Sequence, residues 1–127
     1  MTVGLAATTL ANNWLNMLRA VAFTAPAGTF IKLHTADPGV AGATAPSAVT
    51  TRVAATFSAA SGGAIALSNS PSFTMTATET ISHISVWDAS TAGNFLWSAA
   101  LTTSKSVVNT DTLTFTTLGV SLTPIAA

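Results

Sequence analysis

Charge is scarce in this 127-residue chain, and cysteine is missing altogether. Only 6% of the side chains are charged: Arg19, Lys32, Arg52, Lys105, Asp37, Glu79, Asp88 and Asp111, where an ordinary globular domain carries about a quarter. The absence of cysteine excludes disulfides, thiolate zinc sites and a cysteine nucleophile. Four cations balanced by four anions cannot build the positive stripe that a phosphate backbone requires, so nucleic acid is not an expected partner. No stretch approaches the ~18 uninterrupted apolar residues of a membrane span. The opening MTVGLAATTLANNWLNMLR also lacks the basic and continuously apolar regions of a secretory signal. Membrane insertion is therefore not expected, and synthesis in the cytoplasm is.

Apolar residues make up 49% of the chain, enough at this length to bury one core. Threonine and serine supply the polar faces in place of ions, and both suit strands without needing a counter-charge. With a net charge of zero, copies repel one another little, so ordered self-association is the expectation. One structural unit is expected, with an N-terminal helical arm over residues 1–28 and a β domain over 29–127.

Leu10, Trp14, Met17, Leu18 and Val21 recur at spacings of three or four, which predicts one apolar stripe on a helix from about Thr9 to Ala22. Thr8 or Thr9 can cap its start, and Pro26 with Gly28 closes it off. Such a stripe fits two jobs equally: covering an open end of the core, or packing against neighbouring subunits.

After Gly28 the period drops to two, and short segments are punctuated by Gly, Pro, Asn and Ser. Strands are predicted over 29–34, 52–58, 64–68, 72–76, 80–87, 94–102, 111–116 and 120–122, the last running toward Pro124. Asp37-Pro38-Gly39 forms a turn, because proline presets φ and glycine tolerates a positive one. Residues 40–51 form the longest loop. Gly62-Gly63 closes one hairpin and Asp88–Gly93 another. Thr80–Trp87 is apolar on both faces, with Ile81 and Trp87 on one side and Ile84 and Val86 on the other, and so belongs at the sheet centre. In the next strand Phe95, Trp97, Ala99 and Leu101 should share one side. The sum is a mostly β fold, an antiparallel β-sandwich or jelly-roll-like barrel of about eight strands with one N-terminal amphipathic helix.

No chemistry-bearing constellation stands out. His34 and His83 have no H-x-H, H-E-x-x-H or aspartate-rich loop beside them, so structural hydrogen bonding is their expected role and no metal or cofactor is expected. Glu79 and Asp88 flank one strand at about 30 Å, too far for paired carboxylate catalysis. There is no G-x-S-x-G elbow and no phosphate loop, so no catalytic residue is assigned and the chain is not expected to be an enzyme. Trp14, Trp87 and Trp97 could stack on sugar rings, but Trp87 and Trp97 sit where cross-strand packing is the commoner role.

The ordered segments FIKLHTADPG (30–39), RVAATFSAASGG (52–63) and SHISVWDASTAGNFLWSAAL (82–101) resemble small tailed-phage virion proteins described as head fibre, capsid decoration or tail fibre proteins. The resemblance spans roughly residues 29 to 118. It implies a structural role in the virion, a trimer or other symmetric homo-oligomer, and partners among the major capsid protein or other virion proteins. On that reading Leu10, Trp14, Met17, Leu18 and Val21 form a candidate subunit or capsid interface, and Asp37, Pro38, Gly39, Asp88 and Asn94 form candidate exposed loop contacts. Capsid decoration is the leading expectation. A tail fibre or baseplate module touching a host-surface glycan through those loops is the alternative.

Overall fold

The computed structural model describes residues 3–122, so Pro124 lies outside the described residues. The chain begins with β1 (Gly4–Leu5), a π-helical turn (Ala7–Ala11) and α1 (Asn12–Met17). Seven further strands form the body: β2 (Phe30–His34), β3 (Val53–Ala54), β4 (Ala64–Ala66), β5 (Ser72–Thr74), β6 (Glu79–Trp87), β7 (Phe95–Val107) and β8 (Thr112–Thr114), with β9 (Gly119–Ser121) closing the series. Strands β1-β7-β6-β2-β3 make one five-stranded sheet, while β4-β9 and β5-β8 are separate two-stranded ladders. Every pairing between these strands is antiparallel. The mostly β, antiparallel character and the single N-terminal helical segment match the sequence pattern, and β6 takes the predicted central place between β7 and β2.

One face of the sheet is closed by apolar packing. Ile31 and Leu33 of β2 lie opposite Val86 and Ile84 of β6, and both pairs join Phe73, Met75, Trp97, Val107 and Phe115 in one buried cluster. Phe73 and Phe115 meet edge to face at 6.0 Å, the geometry that the ring quadrupoles favour. The two short ladders add Leu113 and Val120 to the border of this core, and Leu67, just beyond β4, joins them.

Two register breaks overturn the strict alternation expected for β6 and β7. They fall between Ile81 and His83 and between Val86 and Trp87, and each bulge shifts the side chains beyond it to the opposite face. Ile81 therefore joins Ile84 and Val86 in the core and does not share a face with Trp87. Trp97 pairs with Val86, whereas Phe95 pairs with Trp87 and packs on it at 5.7 Å on the far side of the sheet.

The helical arm also departs from expectation. No threonine side chain caps it; the N-cap is Ala6, whose amide donates to Leu96 O, so the chain enters the helix directly from β1. Thr9 instead donates its hydroxyl to the carbonyl of Phe95. The α-helix ends at Met17, well short of Ala22. Ala20 turns left-handed at φ 61°, while Val21 N bonds Asn16 O and Ala20 N bonds Met17 O. These paired bonds form a Schellman termination, so the stop is local and lies before Pro26.

The Gly62-Gly63 turn forms as predicted, but the strands it was expected to pair find other partners: β3 pairs with β2 and β4 with β9, and only isolated bridges such as Phe57–Leu67 link the two segments. Ser61 and Ala64 exchange backbone bonds of 3.0 and 3.1 Å, with both glycines at positive φ, as a type I′ turn demands.

Candidate functional site

The arm presents the most concentrated exposed apolar surface of the described residues. Leu15, Met17, Leu18 and Val21 are 63%, 48%, 86% and 47% exposed, and Leu5 of β1 is also exposed. Leu10 is buried in the protein's own core and Trp14 packs against that core. The predicted stripe is thus divided. Its first two members hold the arm to the sheet, and its last three face outward together with Leu15, which the stripe left out. A second apolar spacing, Leu15 to Leu18, was the available signal.

The residues singled out in the two loops mostly build those loops. Pro38 is fully buried, and Asp37 Oδ1 accepts the Gly39 amide at 2.9 Å. The Asp88 carboxylate accepts the Asn94 amide at 2.7 Å and the Asn94 side chain at 2.8 Å. Gly93, at φ +72°, closes this turn; a Cβ there would stand 2.3 Å from Asp88 Oδ1.

What the sequence did not reveal is that these loops meet. Arg52, at the end of the long loop, donates Nη1 to Ala89 O at 2.9 Å and to Ala92 O at 2.5 Å in the hairpin. Its guanidinium lies 3.9 Å over the Trp87 ring. Lys32, Thr50, Thr51, Arg52, Ser90, Thr91 and Ala92 then line an open polar depression of about 410 Å³. Burial first, and the neighbouring Arg52 second, lower the pKa of Lys32. Burial also lowers that of Arg52, against the pull of Asp88. Trp87 is covered by Arg52 on this side, so this ring face is not open for a sugar to stack on.

Beneath the long loop runs a buried polar chain. His34 Nδ1 lies 2.7 Å from Thr44 O, and a carbonyl can only accept, so Nδ1 carries the proton. His34 Nε2 then accepts from Ser85 Oγ at 2.7 Å, and Ser85 Oγ accepts Trp87 Nε1–H at 2.8 Å. Burial is the main cause that lowers the His34 pKa, which favours the neutral ring and leaves Nε2 as the acceptor. A serine on a histidine has the outline of a nucleophile and its base. Here both residues are fully buried, and the third member is a carbonyl where a triad would have a carboxylate, so the pair serves packing.

The two histidines, distant in sequence, are direct cross-strand partners. His83 Nδ1 is bonded with Ser82 Oγ at 2.8 Å. No group of three or more His, Cys, Asp or Glu side chains forms among the described residues. Glu79 and Asp88 stand at opposite ends of β6 as expected, Glu79 accepting from the Ala48 amide at 3.2 Å. No helix among the described residues is long and apolar enough to cross a membrane.

Comparison with known proteins adds one finding. The profile of the family described as Podophage GP4 fiber I protein gp80 matches residues 5–123, which takes in the arm, the sheet and both ladders. No curated protein matches the chain.

Proposed function

The chain belongs to the podophage GP4 fiber I protein gp80 family and is a structural protein of a phage virion; from that premise we propose that it decorates the capsid, anchored through its N-terminal arm. The observation that carries this reading is the outward apolar face of Leu15, Met17, Leu18 and Val21. It stands on an arm whose other side is fixed to the sheet by β1 pairing and by Leu10. Burying one such leucine stabilises an interface by about 1.5–3 kcal/mol, so a few of them suffice for specific attachment. Copies associate as a closed cyclic oligomer, a trimer being the working assignment, which also shelters sheet edges that have few charged gatekeepers.

Immunogold labelling of intact particles tests the location. Label spread over the head is expected, and label confined to the tail overturns decoration. A Leu15→Asp, Leu18→Asp double variant should remain folded yet be lost from purified particles.

A second reading, a tail module that touches a host-surface glycan, is favoured by the convergence of the two loops at the Arg52 depression.

A further inference from the structure

We propose that the depression between the long loop and the β6–β7 hairpin is a binding site for an acidic saccharide, its carboxylate held by Lys32 and Arg52. The inference deepens the second reading and requires only that these loops stay uncovered in the particle, whether the chain sits on the head or on the tail.

Two of the chain's four cations line this one small concavity. Lys32 has no hydrogen-bond or ion-pair partner among the described residues, and it stands close enough to Arg52 for the guanidinium to disfavour its charge. Bringing like charges together is unfavourable, and a bound anion reverses the sign of that interaction. Asp88, the carboxylate whose charge Arg52 feels, is turned to Asn94 and does not line the depression.

Arg52 is also held in place. It stacks on Trp87 and gives Nη1 to two carbonyls; a guanidinium has five N–H donors in a fixed fork, so donors remain for a ligand. A carboxylate matches that fork, and the fixed side chain loses little freedom on binding.

The rest of the wall selects the class of anion carrier. Thr50, Thr51, Ser90 and Thr91 surround the two cations, and their hydroxyls have no partner among the described residues. A protein partner would call for apolar or aromatic anchors at the centre of the contact, and only Ala92 offers an apolar side chain here. A ring rich in hydroxyls and bearing one carboxylate matches both parts of the wall.

The test is an amide NMR titration of the full chain with a glucuronate-terminated disaccharide, its glucose-terminated counterpart, inorganic phosphate and a glutamate-containing peptide. The acidic disaccharide should shift the amides of 50–52 and 90–92, with affinity falling as salt rises. The neutral disaccharide should bind at least about tenfold more weakly, since it lacks the charge-assisted hydrogen bonds that the carboxylate makes. Lys32→Gln should weaken the acidic disaccharide about tenfold without disturbing other resonances, and Lys32→Arg should restore part of the loss. If Lys32→Gln fails to fold, Thr91→Val replaces it, with weakened binding of the acidic disaccharide again expected.

Equal binding of phosphate, an adventitious ion only, overturns the saccharide assignment. So does stronger binding of the peptide, which would mark a protein contact, or shifts that fall elsewhere in the chain. Particle labelling separately tests where the chain sits in the virion, so failure of this site and failure of the second reading are distinguishable.

Discussion

The two faces of the five-stranded sheet are closed by different physics. On one, Ile31, Leu33, Ile84 and Val86 meet Phe73, Met75 and Phe115, and the gain is area removed from water. On the other, Phe30, Lys32 and His34 lie opposite Trp87, Ser85 and His83, and a directional chain from Trp87 to Thr44 fills the space under the long loop. Burial of area is nearly indifferent to orientation, whereas a buried polar chain is stabilising only when each donor finds its acceptor. The apolar face can therefore hold the fold while the polar face positions the loops, and variants on each should fail differently.

The largest effect is expected on the apolar face. Phe73→Ala removes a fully buried ring together with its edge contact to Phe115, and should cost about 3–5 kcal/mol. Chemical denaturation measures it, and a loss under about 1 kcal/mol would mean that the face collapses around the gap.

Next comes the contact of the long loop with the polar face. Gly42, at φ +67°, sits where a Cβ would approach Phe95 Cδ2 to 2.4 Å. Gly42→Ala combines left-handed strain with overpacking, at about 2–4 kcal/mol. Amide exchange should rise across 37–51 while the β5–β8 ladder stays protected; uniform loss of protection would erase the distinction between the faces.

Ser85→Ala should cost about 1–3 kcal/mol, because His34 Nε2 and Trp87 Nε1 lose their partner inside the protein. A neutral result would mean that water replaces the hydroxyl, and the directional account of this face would fail.

The smallest effect is one of pH. The folded pKa of His34 lies below its ordinary value of 6.5, so between the two pKa values the unfolded chain binds the extra proton and stability rises with pH. The contribution of this group is complete above about pH 6.5 and is lost as the pH falls through the lowered folded value. Thermal melts between pH 7.5 and 5 should show this decline, and His34→Gln should flatten it. An unchanged slope in the variant would assign the decline to other groups.

Much of this architecture is legible in residue order. The switch from a spacing of three or four to one of two after Gly28 marks the change from arm to sheet, and the two-sided apolar pattern of Thr80–Trp87 marks the central strand. The bulges beside Ile81 and Val86 are not legible, since an extra residue in a ladder leaves no mark in composition. That is why Phe95 was expected beside Trp97 when it packs on Trp87. The arm shows a similar division. Its periodicity foretells the stripe, but the Schellman stop at Ala20 and the reach of the core decide that Leu10 is inside and Leu18 outside.

Sequence alone determined the class of this protein: few ions, hydroxyl-faced strands and a zero net charge suit a protein that is packed into an assembly. Tertiary structure alone decided which side chains share a place. Arg52 and Ala89 are far apart along the chain, and so are His34 and Ser85, and each pair meets only because strand register and loop path bring them together. Local patterns set which segments become strands, through side-chain sterics and burial, while the meeting of distant groups depends on the closed fold as a whole.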